Sequence, residues 1–203
     1  MAATDPMPET HLHAVFRDAV DHAVGLHPDA ERKDQRVLHR DRSQAFVASV
    51  AEAFQSAYAP MPDVRVFWRG NDAHRGAFGL NEFLYDIAVC REKKTIPSAR
   101  AGKEIPYVAK ALWLVESEFA RDSRRALLDF SKLVVGRATH KLFIAYRFEN
   151  DVLCRLLAAP AGDCCAEGGE SLHLGLVSHP SEWGREPARI EVFRFSSGQW
   201  VRV

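Results

Sequence analysis

The stretch 112-LWLVESEFARDSRRALLDFSKLVV-135 decides how this chain is read. It opens on four apolar residues, Leu112 to Val115, and passes through Glu116-Ser117-Glu118. It then becomes a segment whose Leu127, Phe130 and Val134 recur at helical spacing. Asp122 or Ser123 is placed to cap that helix, which runs to about Gly136. A further apolar run, HKLFIAYRF (140–148), follows. Strand, helix, strand in this order asks for a right-handed parallel crossover.

Working outward, VRVFW (64–68) and FLYDIAVC (83–90) are rich in aromatic and β-branched residues and read as two further strands. The links to YVAKALWLVESEF (107–119) are short enough for an antiparallel meander. Upstream, HAVFRDAVDHAVGLH (13–27) reads as a helix that stops near Gly25 and Pro28, and residues 1–10 as a mobile start. ERKDQRVLHRDR (31–42) reads as a solvated charged stretch. Ser43 then caps a helix over 44–59, with Phe46, Val47, Val50 and Phe54 on one side and Pro60 and Pro62 ending it. Downstream, DVLCRLLAA reads as a short helix, CCAEGGES as a loop and LHLGLVS as a strand. RIEVFRFSSGQWVRV reads as a hairpin turning at Ser197-Gly198. The expectation is an α/β fold in one domain over 1–203, a mixed sheet flanked by helices. Residues 1–42 would be a helical extension, 43–148 the core, and 149–203 a strand-containing extension of the sheet.

Apolar residues make up 47% of the 203, enough for a full core, and Lys plus Arg equals Asp plus Glu at 27 each. A neutral chain is not held to nucleic acid or a membrane by its net field, so partners must be sought in local patches. No basic and apolar leader opens the sequence, no apolar run is long enough for a membrane span, and Cys90, Cys154, Cys164 and Cys165 form no C-x-x-C pair. A cytoplasmic protein with reduced thiols and no membrane partner is expected. The nine histidines show no zinc spacing.

The acids are the chemical feature. Residues two apart on a strand share a face, so Glu116 and Glu118 project together, about 7 Å apart. Two such carboxylates repel unless something positive sits between them, and a hard divalent cation is one solution. Asp86, in FLYDIAV, is a second acid in an apolar strand expected to pair with the third, where uncompensated burial would be costly.

These residues resemble the PD-(D/E)XK restriction-endonuclease-like nuclease superfamily, whose core runs helix, three strands, helix, strand; the matching segment is about 43–148. The resemblance implies a restriction-endonuclease-like core and metal-dependent hydrolysis of phosphodiesters in nucleic acid, DNA before RNA, with Mg²⁺ or Mn²⁺ as cofactor. Asp86 matches the acid of the second strand, Glu116 the acid of the third, and Glu52 the assisting acid of the first helix. Glu118 stands where the family usually has lysine, and could be a further ligand or orient the attacking water. Lys132, on the following helix, is the substitute for the missing lysine. REKKTIPSARAGK (91–103), with Arg91, Lys93, Lys94, Arg100 and Lys103, reads as a loop able to meet phosphates, and Arg69 and Arg75 as a second contact. A homodimer would match the two strands of a duplex. The alternative is a catalytically inactive relative serving as an interaction module, which the departure at Glu118 and the neutral charge favour.

Overall fold

Seven strands form one mixed sheet in the computed structural model, which describes residues 5–26, 34–97, 102, 104–147, 152–165 and 169–203. The strands β1 (Val64–Trp68), β2 (Ile87–Thr95), β3 (Ile105–Glu118), β4 (His140–Tyr146), β5 (Ser171–Val177), β6 (Ile190–Ser196) and β7 (Gln199–Arg202) lie side by side in sequence order. β1, β2 and β3 are antiparallel, β3, β4 and β5 parallel, and β5, β6 and β7 antiparallel again. The two parallel pairs need crossovers, and α4 (Ser123–Val135) and α5 (Val152–Cys164) supply them, while α3 (Arg75–Phe78) is a single turn between β1 and β2.

Period-two alternation divides the core into two layers. Val115 and Ile144 face the helices α1 (Leu12–Leu26) and α2 (Gln35–Tyr58), while Leu114 and Phe143 face α4 and α5. On α4 the buried residues are Ala126, Phe130 and Leu133, with Leu127 and Val134 at the rim. Asp122 caps this helix by accepting from the Arg124 N–H at 2.9 Å. Gly175, in the middle of β5, leaves room for the Phe16 ring of α1: a Cβ there would lie 2.4 Å from Phe16 Cε2. The closing hairpin turns through Ser197 and Gly198, both at positive φ (50° and 81°), the geometry that a two-residue hairpin loop requires.

Several expectations from the sequence are corrected. Residues 35–42 are not a solvated stretch but the first two turns of α2, capped by Asp34, whose Oδ1 accepts from the Arg36 N–H, and not by Ser43. Leu38, Arg42, Phe46, Val50, Phe54 and Tyr58 form one stripe at intervals of four, with Arg42 in a core position. Its Nη1 donates to the carbonyls of Pro180 (2.9 Å) and Trp183 (2.6 Å), which compensates burial to 2% exposure.

β2 spans Ile87–Thr95 rather than 83–90. Its charged half is stabilised by ion pairs: Arg65 to Glu92 at 2.9 Å, Arg91 to Asp63, and Lys94 to Glu104 at 2.8 Å. Phe83 instead packs edge-on against Phe67, with ring centroids 4.6 Å apart. Consequently 91–95 belong to a long β2–β3 hairpin and not to a loop, and Asp86 immediately precedes the strand.

Nor is the start mobile over its described part. Asp5 is anchored by the Tyr58 hydroxyl (2.5 Å) and the Trp113 indole N–H (3.2 Å), and Met7 is buried.

Candidate active site

The site arises from a mismatch in strand length. β2 begins at Ile87, opposite Val115, so residues 116–118 of β3 pair with β4 alone. Their other edge would be left with an unpaired N–H. Asp86 fills the gap: its Oδ2 accepts from the Ser117 N–H at 2.8 Å and the Ser117 hydroxyl at 2.6 Å. Burial pushes the Asp86 pKa up, and these two hydrogen bonds oppose the shift.

Glu116, on the opposite face of β3 from the Ser117 side chain, points into the layer under α4, within range of the Asp86 charge, and is only 1% exposed. Its Oε2 accepts from Lys132 Nζ at 3.0 Å, while Oε1 is buried without a hydrogen-bond partner. Burial, with the Asp86 charge added to it, pushes the Glu116 pKa up to about 8, against the pull of Lys132. Lys132 also holds Asp129 Oδ1 at 2.9 Å. Burial pulls its pKa down, but the hydrogen bonds to Asp129 and Glu116 outweigh this and hold the ammonium above the usual lysine range. Glu118 accepts from the Ala120 N–H at 2.6 Å, and its carboxyl contacts that of Asp129; burial and this contact raise its pKa. The Tyr85 hydroxyl donates to the Lys132 carbonyl at 3.2 Å and fixes the turn of α4 that carries the lysine.

Asp86, Glu116, Glu118 and Lys132 are thus brought together, as the sequence suggests. Asp129 is the member that sequence reading missed as a site residue, although its i,i+3 spacing to Lys132 signals the contact. Lys132 pairs with Glu116 and Asp129 and its charge acts on Asp86, while Glu118 joins through Asp129, a cluster that attracts protons or cations. Among the described residues no three His, Cys, Asp or Glu side chains are arranged to hold a metal ion.

The other candidates divide. Arg69 is exposed and lines, together with Asp86, a cleft of about 440 Å³. Arg75 is exposed and lies 3.8 Å from Asp72. Arg91, Lys93 and Lys94 stand on β2 at increasing distance from the acids; Lys94 is eight positions beyond Asp86, about 27 Å along an extended strand. Glu52 is exposed on α2 and joins the cluster through no hydrogen bond or ion pair. Arg100 and Lys103 lie outside the described residues.

No family model, curated protein or solved structure matches the chain.

A second polar network lies at the opposite end of the parallel strands. His140 Nε2 lies 2.7 Å from Asp5 Oδ2, and its Nδ1 lies 2.6 Å from the Ser171 hydroxyl, with Trp113 stacked on the ring at 4.5 Å. His173 pairs with Glu9 at 2.9 Å beside it. His140 and Ser171 are the first residues of β4 and β5, whereas Glu118 is the last of β3. The acidic cluster thus lies at the carboxyl end of β3, and the histidine network at the amino ends of β4 and β5.

Proposed function

We propose that this chain is a metal-dependent phosphodiesterase acting on nucleic acid, with Asp86, Glu116 and Lys132 as its working residues. The observation that carries the reading is the convergence of Lys132 Nζ on Glu116 Oε2, 3.0 Å apart, beside Asp86 at the end of β3. The resemblance calls for an acid on the second strand and acid-x-lysine on the third; here Asp86 immediately precedes β2, Glu116 lies on β3, and Lys132 reaches Glu116 from α4 in place of the missing lysine. The order α2, β1, β2, β3, α4, β4, with the one-turn α3 between β1 and β2 and with antiparallel and then parallel pairings, also supports the reading.

The donor set fits a small hard cation. Mg²⁺ is commonly held by one or two carboxylates, water and substrate phosphate rather than by a full protein cage. Asp86 and Glu116 would be those carboxylates, and the buried Glu116 Oε1 without a partner is an oxygen left for such an ion. When bound, the ion supplies a water of lowered pKa and charge to offset that on the phosphate. Ser117 keeps Asp86 in one orientation through two hydrogen bonds. Lys132, steadied by Asp129, provides a fixed positive charge beside the phosphate as negative charge grows on it. Glu118, already engaged by Ala120 and Asp129, stands outside the ligand pair.

The rival reading, an inactive interaction module, has one observation on its side: Lys132 already compensates Glu116 without an ion. Incubation with single- and double-stranded DNA and RNA in Mg²⁺ and Mn²⁺ separates the two. Cleavage that disappears in Asp86→Asn and in Lys132→Ala supports the phosphodiesterase. Cleavage that survives both substitutions removes Asp86 and Lys132 from the reaction, and no cleavage on any substrate with either ion moves the assignment to the module.

A further inference from the structure

Beside the acidic cluster lies a cleft of about 440 Å³, a volume within the usual range for a small-ligand site. One wall is the face of α2 that carries Val47 and Ala48; the other includes the 7% of Trp68, at the end of β1, that the core leaves exposed. Gln44 and Glu82 add polar groups to this lining, and Asp86 forms part of it as well. The cleft therefore adjoins the carboxylate that the proposed reaction uses. Apolar walls a ring can lie against, with hydrogen-bonding groups among them, suit a flat heteroaromatic base.

Arg69 also lines the cleft. Among the described residues its guanidinium takes part in no hydrogen bond or ion pair, which leaves its fork of donors for a phosphate. On the described part of the β2–β3 hairpin, two of the three basic residues of β2 are already engaged. Arg91 and Lys94 are paired with Asp63 and Glu104, and they lie toward the far end of the β2–β3 hairpin. With zero formal charge, the chain lacks the field that gathers long stretches of backbone phosphate. Affinity then draws on seating a base, and a base still stacked and paired inside a duplex is not free to enter a cleft walled on two sides.

We infer that the cleft seats one unpaired nucleotide, its base between α2 and Trp68 and its phosphate against Arg69, so that the substrate is single-stranded or frayed nucleic acid rather than intact duplex. This rests on the phosphodiesterase reading for its chemistry, but not for its binding.

The test is fluorescence anisotropy of the full chain with a labelled single-stranded oligonucleotide and with the same sequence as a blunt duplex, both in EDTA. The single strand is expected to bind at least about tenfold more tightly, and Ala48→Trp, which fills the cleft, to weaken it by about tenfold. Arg69→Ala is expected to weaken it similarly. Since Arg69 is exposed, that variant stands as a test even if Ala48→Trp does not fold. Duplex binding equal to or tighter than single-strand binding, or single-strand affinity unmoved by Arg69→Ala, overturns the inference. Single-strand binding that these variants lose, in a protein that cleaves nothing with Mg²⁺ or Mn²⁺, keeps the cleft and overturns the phosphodiesterase reading alone.

Discussion

Lys132 and Glu116 meet across the seam between α4 and β3, with Nζ 3.0 Å from Oε2 and side-chain exposures of 35% and 2%. The asymmetry is informative. A buried carboxylate is costly, and its partner reaches it from a helix whose cap, Asp122, and apolar face fix the approach. Truncating the lysine removes the compensation while leaving the acid in place. Lys132→Ala is expected to lose about 1–3 kcal/mol in urea unfolding at alkaline pH, less than for a fully buried pair because the lysine is partly solvated. The loss should shrink at acid pH, where Glu116 takes up a proton. A loss independent of pH would contradict the pairing.

Glu116 itself gives a signed pH dependence. Its folded pKa is pushed up to about 8, above that of an unfolded glutamate, by burial and by Asp86. Its contribution to stability is therefore fully present below the unfolded value and is lost as pH rises toward the folded one. Glu116→Gln removes that loss. The melting temperature of the variant relative to wild type should climb between about pH 5 and pH 9, by some 2–4 °C for each kcal/mol recovered. A difference that stays flat across that range argues against a raised pKa.

Arg42 predicts a stability effect remote from the acids. Its guanidinium donates to two carbonyls of the segment between β5 and β6, at Pro180 and Trp183. Arg42→Ala opens a void and leaves both carbonyls without this donor, and should cost about 3 kcal/mol by chemical denaturation. A cost below about 0.5 kcal/mol, typical of a surface site, would restore the solvated reading of residues 31–42.

Gly175 tests the packing of α1 on the sheet. A Cβ at this position would fall 2.4 Å from Phe16 Cε2, so Gly175→Ala should cost about 1–3 kcal/mol. Combining it with Phe16→Leu should recover part of that cost in a double-mutant cycle. Additivity would mean that the two residues do not touch.

Most of the strand and helix order was legible because it rests on local signals: the β3–α4–β4 unit by its apolar runs and cap, and the closing hairpin by Ser197-Gly198. What escaped depended on partners distant in sequence. Arg42 breaks the apolar stripe of α2 in the sequence, and only the carbonyls of Pro180 and Trp183 make its burial tolerable. The charged half of β2 reads as loop until Asp63, Arg65 and Glu104 are seen beside it. Asp5 reads as part of a loose start until Tyr58, Trp113 and His140 converge on it. At the site, the strand period placed Glu116 and Glu118 on one face and the helix placed Lys132 near them. The division of labour was not visible: Asp86 is held by Ser117, and Glu118 is turned toward Asp129.

The central claim is that Asp86 and Glu116 hold a divalent cation, and calorimetric titration of Mn²⁺ tests it most directly. Wild-type protein should bind saturably, with protons released from Glu116 and affinity rising as pH is raised toward 8. The Asp86→Ala/Glu116→Ala double variant should show no such binding. The titration is run both alone and with a single-stranded oligonucleotide, since substrate phosphate commonly completes a Mg²⁺ shell. No saturable binding in either case, or binding unchanged in the double variant, contradicts the claim and leaves the cluster as a charge-compensated seam between α4 and β3.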